Sequence, residues 1–195
     1  MAIKRVTAAV LIAIGAAACQ SQPKRDLLAE AEYLCLETRF DEAIPILKQL
    51  LLEQPHHAGG HYYLGWCYLS SSDNRWLMVA QGELETALAI YKRTGGPSPI
   101  PRFSSQYFEL ICHIDIAKVH LRQLLFILDN GAPSGLNPFT LIEALVQKCK
   151  EQAEAARKVD PESKDVTDLE AQIESVSNAL RAAYRDPGFR RRGTI

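Results

Sequence analysis

The feature that most constrains this chain is the spacing of its apolar side chains, which recur every three or four residues along almost its whole length. That period matches one face of an α-helix, and no stretch alternates apolar and polar residues for long enough to form a strand. The sequence therefore predicts an all-α fold. Turn residues and prolines divide it into seven helices, at about residues 26–38, 41–54, 58–70, 74–94, 104–128, 138–159 and 161–184.

A proline-rich segment separates these helices into two groups. Residues 95–103 begin with two glycines and carry three alternate prolines, which exclude both a helix and the interior of a sheet. We interpret the segment as a linker between the helices of residues 26–94 and a C-terminal helical region, residues 104–184. The first helix after the linker is apolar on two faces, which indicates that it packs on two sides and lies at the centre of the fold.

Residues 1–18 have the composition of an export signal rather than of a folded element. Two basic residues precede an apolar run from Val6 to Ala18, which is too short to span a bilayer. Cleavage after Ala18 would leave Cys19 as the first residue of the mature chain. Residues 19–25 would then form a short tether ahead of the first helix.

The residues around this cleavage point, Ala16-Ala17-Ala18-Cys19, resemble the lipobox of bacterial lipoproteins, in which the cysteine receives a diacylglyceryl group. The resemblance implies that Cys19 is lipidated and that the protein is anchored on a membrane of the bacterial cell envelope, facing the periplasm. Gln20 stands where relatives kept in the inner membrane often have Asp, which favours the outer membrane. Ala16 and Ala18 also fit an ordinary secretory signal, which would leave Cys19 as a free thiol.

The charge balance argues against nucleic acid as a partner. Without residues 1–18 the chain has 20 basic and 23 acidic residues, so it lacks the basic surplus that nucleic-acid binding requires. The locally basic stretch is the tail, residues 185–195, which carries four arginines. We interpret this tail as a disordered, solvated end, with a weak contact to anionic headgroups or a partner as the alternative.

Four cysteines besides Cys19 lie in amphipathic segments, at Cys35, Cys67, Cys112 and Cys149. Spacings of more than thirty residues exclude a CxxC redox or zinc motif. In an exported protein these spacings allow either a Cys35–Cys67 disulfide between neighbouring helices or buried free thiols.

The N-terminal helices carry a repeat with a period of about 34 residues. One unit covers residues 24–57 and has small, apolar and proline residues at set positions, namely Ala31, Leu34, Phe40, Ala43, Leu47, Leu50 and Pro55. The next unit opens with Leu64-Gly65 and Tyr68, in the order Leu-Gly-x-x-Tyr. These positions resemble the tetratricopeptide repeat (TPR), in which small residues let two helices approach closely and a proline ends the second. The resemblance covers residues 24–94 and is strongest over 24–70.

The resemblance implies TPR-like antiparallel helical hairpins over residues 26–94, stacked as an α-solenoid, with a C-terminal three-helix extension. In such solenoids the first helix of each pair lines a concave groove that holds an extended peptide or a partner helix. The positions carried over to that groove are Arg25, Leu28, Glu32, Cys35, Leu36, Tyr62, Trp66 and Leu69. Tyr62 and Trp66 are the strongest candidates because large aromatic side chains dominate binding interfaces. Burial of both rings against the C-terminal helices is the alternative.

No catalytic or cofactor motif accompanies this pattern. His56, His57 and His61 form a histidine cluster, but no HExxH motif or second cluster supplies a further metal ligand. Cys112 and His113 are adjacent on a helix and point about 100° apart, so they cannot act as a nucleophile with its base. We therefore expect a non-catalytic, membrane-anchored adaptor that binds a protein partner without a metal or cofactor. The alternative is a small helical enzyme, or a metal- or ligand-binding domain, that uses the His and Cys positions.

Overall fold

The computed structural model describes residues 25–130 and 137–185, and every regular element in these two ranges is helical. Seven α-helices follow one another: α1 (Leu27–Leu36), α2 (Phe40–Glu53), α3 (Ala58–Ser70), α4 (Leu77–Thr94), α5 (Ser105–Asn130), α6 (Pro138–Val159) and α7 (Lys164–Arg185). The predicted all-α class is confirmed. The expected signal, Cys19 and all but the first residue of the basic tail lie outside the described residues.

Side chains that cap the first turns explain where several helices begin. Asp26 accepts a hydrogen bond from the Ala29 amide ahead of α1, and Asn137 accepts one from the Phe139 amide ahead of α6. His57 does the same for α3, since its Nδ1 accepts from the Gly60 amide at 3.1 Å. These caps satisfy amides that have no partner within the helix.

Several helix ends differ from the sequence-based expectation, and three of these differences have a local reason. α1 ends at Leu36 rather than near residue 38 because Thr38 adopts a left-handed backbone with φ 57°. α4 begins three residues later than expected because a 3₁₀ turn, Asn74–Trp76, precedes it. α7 begins at Lys164 rather than at residue 161 because Asp160 accepts the Glu162 amide and holds a turn there.

Each helix packs against the next, and the odd-numbered helices also touch one another, α1 against α3, α3 against α5 and α5 against α7. α5 lies between two groups of buried side chains. One of its faces, including Phe108 and Ile116, packs with α1 to α4 in what we call the N-terminal cluster. The other face, including Ile114 and Leu121, packs with α6 and α7 in the C-terminal cluster. Both apolar stripes of this helix are therefore buried.

The proline-rich segment before α5 packs against the N-terminal helices. Ile100 is fully buried in the N-terminal cluster. A Cβ added at Gly59, in the first turn of α3, would lie 2.9 Å from the Pro99 carbonyl oxygen. Since that distance is shorter than a side chain tolerates, α3 needs glycine where this segment crosses it. The segment that we interpreted as a linker is thus part of the core that α5 shares with the N-terminal helices.

A second glycine sets the distance between α3 and α4. A Cβ at Gly65 would lie 2.7 Å from Leu84 Cγ and 3.1 Å from the Ala80 carbonyl oxygen. The lack of a side chain lets the backbones of the two helices approach and lets Leu84 fill the space above the glycine. This is the glycine of the Leu64-Gly65 pair that carries the repeat pattern.

Candidate functional site

A groove, called here the main groove, opens between the odd-numbered helices. Its walls come from α1, α3, α5 and α7 and from the residues just before α5, and its volume is about 550 Å³. Aromatic, apolar and charged side chains line it, including Leu36, Tyr62, Trp66, Arg102, Phe103, Tyr107, Lys118, Asp165, Asp168 and Gln172. One groove therefore presents rings, cations and anions together.

The floor of the main groove is a buried polar contact between α3 and α5. The Tyr62 hydroxyl donates a hydrogen bond to Asp115 Oδ2 at 3.0 Å, and Lys118 Nζ donates to Asp115 Oδ1 at 2.9 Å. Tyr62 and Asp115 are both buried, and burial followed by the nearby carboxylate raises the pKa of Tyr62 well above its ordinary value. The hydroxyl therefore stays protonated and holds the carboxylate in place.

Arg102 joins several side chains in the wall of the main groove near α1. Arg102 Nε forms an ion pair with Glu32 Oε1 at 2.5 Å, and its Nη2 donates to the Tyr63 hydroxyl at 3.1 Å. The guanidinium carbon also lies 4.7 Å from the centre of the Phe103 ring, which packs edge-on against Tyr107. These contacts fix the segment before α5 to α1 and α3 and hold the aromatic rings at the rim.

A second groove, called here the side groove, adjoins the first between α3, α5 and α7. It has a volume of about 450 Å³ and shares Lys118 and Gln172 with the main groove. The remaining lining is mainly apolar and comprises Leu69, Leu121, Arg122, Leu125, Ser175 and Val176. The two grooves therefore form one continuous surface that is charged at one end and apolar at the other.

Arg122 of α5 caps the C-terminal end of α3 beside the side groove. Its Nη1 donates to the carbonyl oxygens of Leu69 and Ser71, the latter at 2.9 Å, and its Nη2 donates to Asn74 Oδ1 at 2.8 Å. Carbonyl oxygens at a helix C-terminus have no partner within the helix. This arginine of α5 supplies one and locks α3 to α5.

Four of the eight sequence-predicted groove residues line one of these two grooves. Leu36, Tyr62 and Trp66 line the main groove, and Leu69 lines the side groove. Glu32 lies beside the main groove, and its carboxylate forms the ion pair with Arg102 described above. Of the two favoured aromatic residues, Tyr62 is buried against α5 while Trp66 is half-buried.

Three other candidates do not line either groove. Leu28 packs against the N-terminal cluster, and Cys35 is fully buried within it. Arg25 forms an ion pair with Glu30, on the first turns of α1. The repeat pattern gives the helix on which a residue lies, but α1 buries a wider face than that pattern implies because α2 and α3 both pack on it.

Several groove residues were missed by the sequence reasoning. Asp115 could have been noticed from the sequence, since it stands between Ile114 and Ile116 on an apolar helix, and burial of a carboxylate requires a partner. Arg102 and Phe103 fell in the segment that we interpreted as a linker. Asp165 and Asp168 gave no signal, because their position depends on how α7 folds back on α5.

The histidine cluster has structural partners in the described part of the chain. His57 caps α3, as described above. His61 Nδ1 lies 2.6 Å from Glu83 Oε2, and its Nε2 lies 3.0 Å from the Pro55 carbonyl oxygen. Because a carboxylate and a carbonyl only accept, both ring nitrogens of His61 donate, and the Glu83 contact raises the pKa of His61. Among the described residues, no group of three or more His, Cys, Asp or Glu side chains could hold a metal ion.

Cys112 and His113 point into different surroundings. Cys112 is fully buried, and burial raises the pKa of its thiol well above the ordinary value. His113 Nδ1 lies 2.7 Å from Gln152 Oε1 and its Nε2 lies 3.3 Å from Lys92 Nζ, and burial lowers the pKa of His113. A thiol that keeps its proton is a poor nucleophile.

Comparison with known proteins gives no relative from which a function could be transferred. The chain matches no protein-family model, no curated protein and no solved structure. None of the helices within residues 25–130 and 137–185 has the length and hydrophobicity to cross a bilayer. The function must therefore be argued from the two grooves and the sequence pattern.

Proposed function

We propose that this chain is a non-catalytic adaptor of TPR-like construction, which binds a segment of another protein in its grooves. The observation that carries the proposal is the contact of α1 with α3, α3 with α5 and α5 with α7, along which the grooves run. In solenoids of helical hairpins, the first helices of successive pairs meet in this way and form the binding face. The pairs α1–α2 and α3–α4 correspond to the predicted repeats, and α5 to α7 correspond to the C-terminal extension.

An extended peptide or a partner helix suits these grooves because exposed apolar side chains lie beside charged ones. Leu36 is 52% exposed, Tyr107 is 40% exposed in the main groove, and Leu125 is 45% exposed in the side groove. Burial of such side chains supplies most of the affinity in protein interfaces. Lys118 and Asp168 give the surface charges of both signs, which select the orientation of the bound segment.

The proposal includes a tether on the outer membrane of a bacterial envelope, supported by the lipobox resemblance at Cys19. Two or more acyl chains on that residue would hold the protein stably on a membrane, whereas a single chain binds only weakly. Residues 19–25 would then separate the lipid from the cap of α1. The mass of the mature protein tests this step: we expect cleavage before Cys19 and an added mass of acyl chains, and an unmodified Cys19 would contradict it.

Site-specific crosslinking in the native envelope tests the binding face. We would introduce a photoreactive residue at Leu36 or Gln172, both in the main groove, and at Leu52 of α2 as the control, which is 83% exposed and outside both grooves. We expect the same protein adduct from both groove positions and little from Leu52. Trp66→Ala should reduce the adduct at Gln172 while helicity is retained. Equal yields at Leu52, or an unchanged yield with Trp66→Ala, would contradict the proposal.

A further inference from the structure

Two cysteines on neighbouring odd-numbered helices bring their sulfur atoms into contact. Cys35 lies near the end of α1 and Cys67 lies in α3, and their Sγ atoms are 3.2 Å apart. Both side chains are fully buried in the N-terminal cluster. Within the part of the chain that the structure describes, no other two cysteine sulfurs lie within hydrogen-bonding distance of each other.

We propose that Cys35 and Cys67 form a disulfide that cross-links α1 to α3. A disulfide holds its sulfur atoms about 2.05 Å apart, so the observed 3.2 Å separation must shorten by about an ångström. Leu36 and Trp66, which line the main groove, are the chain neighbours of Cys35 and Cys67, so the bond joins the two helices that form that part of the groove.

The bond forms by exchange with an oxidant that itself carries a disulfide, such as an oxidised dithiol protein or oxidised glutathione. The thiolate of one cysteine attacks the disulfide of the oxidant, which forms a mixed disulfide and releases one thiol. The second cysteine attacks the mixed disulfide and releases the other thiol. Cys35 and Cys67 are oxidised, the oxidant is reduced to two thiols, and the two protons from the cysteines end on those thiols.

Burial determines when this exchange takes place. The contact with Cys35 and then burial raise the pKa of the Cys67 thiol, so the folded pair holds little thiolate. Exchange therefore precedes the docking of α1 on α3, while both sulfurs are still open to the oxidant. The bond spans a sequence separation of 32 residues, and such a cross-link stabilises the fold by restricting the unfolded chain.

The other two described cysteines serve as internal controls. Cys112 is fully buried on α5, and Cys149 Sγ lies 3.7 Å from the Ala117 carbonyl oxygen. No other cysteine sulfur of the described residues lies within hydrogen-bonding distance of either one. Both should therefore remain thiols under the conditions that join Cys35 to Cys67.

The first experiment identifies the bond directly. The full chain is unfolded, refolded in a mixture of reduced and oxidised glutathione, alkylated under denaturing conditions and digested with trypsin. We expect a disulfide between the peptides of residues 26–39 and 49–75, and alkylated Cys112 and Cys149. Alkylation of both Cys35 and Cys67, or a bond with another partner, would overturn the proposal.

The second experiment tests the consequence of the bond for stability. A reductant should lower the melting temperature of the wild-type chain and of Cys112→Ala by several degrees, and leave that of a Cys35→Ala/Cys67→Ala double variant unchanged. An equal fall in the double variant would contradict a Cys35–Cys67 bond. The peptide map needs no variant, so it decides the matter even if the double variant does not fold. Neither result depends on whether the grooves bind a partner.

Discussion

The two regions on either side of α5 are packed by different kinds of side chain. The N-terminal cluster combines aromatic rings such as Tyr63 and Phe108 with glycine and alanine at the helix crossings, for example Gly65 beneath Leu84. The C-terminal cluster, among the described residues, is built from aliphatic side chains, alanines and Cys149. Glycines at the helix crossings and large rings allow only one separation of the helices, whereas aliphatic stripes need only face each other. The packing of the N-terminal helices therefore depends on the identity of individual residues.

Polar contacts follow this division only in part, because the buried His113 of α5 also contacts Gln152 of α6. The buried Tyr62 hydroxyl ties α3 to Asp115 of α5, and the ion pair of Arg102 with Glu32 ties the segment before α5 to α1. Between α6 and α7, Arg157 pairs with Glu170 at the surface, where such a pair contributes little to stability. The two grooves lie between these regions. α1 and α3 form their walls on the N-terminal side, and α7, which packs through aliphatic side chains, forms the wall on the other side.

The largest expected effect comes from removing a ring of the N-terminal cluster. Phe108 is fully buried, with its ring against Tyr62 and Tyr91, so Phe108→Ala should lower the free energy of unfolding by about 3–5 kcal/mol. Phe126→Ala, on the same helix but 43% exposed, should change it by less than about 0.5 kcal/mol. Urea unfolding followed by circular dichroism measures both. Similar losses from the two variants would show that the Phe108 ring is not the packed centre of the N-terminal cluster.

The next effect concerns the polar contact between the regions. Tyr62→Phe keeps the ring and removes the donor to Asp115, so one oxygen of a buried carboxylate loses its partner. We expect a loss of about 1–3 kcal/mol in the free energy of unfolding. Tyr107→Phe is the matched control, because the Tyr107 side chain is 40% exposed, and it should be close to neutral. Equal effects would mean that the Tyr62 hydroxyl is not the link between α3 and α5.

Two glycines in the N-terminal region should respond to the same substitution with opposite signs. Gly65→Ala forces a contact with Leu84 and the Ala80 backbone, and should destabilise the fold by about 1–2 kcal/mol despite the better helix propensity of alanine. A Cβ at Gly82, within α4, meets nothing within 4 Å, so Gly82→Ala should stabilise the fold by about 0.5–1 kcal/mol. Thermal and urea unfolding distinguish the signs, and stabilisation by Gly65→Ala would show that α3 and α4 are not held this closely.

The sequence predicted the elements of this fold better than their ends. Apolar spacing is a property of each segment, so the seven helices and the two buried faces of α5 could be read from it. The left-handed residue Thr38 and the turn at Asp160 depend on local hydrogen bonds that compete with the helix, and a periodic pattern does not register them.

The grooves were predictable only on the side where the repeat pattern applies. Leu36, Tyr62 and Trp66 line the main groove as expected, whereas Leu28 and Cys35, which come from the same pattern, do not. Asp115 meets Tyr62 across 53 residues of sequence, and the acidic residues of α7 join them only through the packing of that helix on α5. Contacts between residues so far apart in the chain depend on how the helices pack, and the spacing of residues in one sequence does not predict them.

The smallest expected effect is a pH dependence that belongs to the N-terminal region. The Glu83 contact raises the pKa of His61 above its ordinary value of 6.5, so the folded state binds this proton more tightly than the unfolded state does. The resulting stability is fully present below pH 6.5 and is lost as the pH rises through the folded pKa. Burial lowers the pKa of His57, His113 and His120, and these residues oppose the trend in the intact chain.

Glu83→Gln isolates the contribution of His61, because the amide cannot stabilise the imidazolium as a carboxylate does. We expect the free energy of unfolding of the wild type to exceed that of Glu83→Gln by under about 1 kcal/mol at pH 5.5, and the difference to shrink by pH 8. Glu53→Gln, at the exposed end of α2, should show no such change over the same range. A difference that grows with pH would mean that His61 is neutral in the fold, and that the contact between α3 and α4 is held by packing alone.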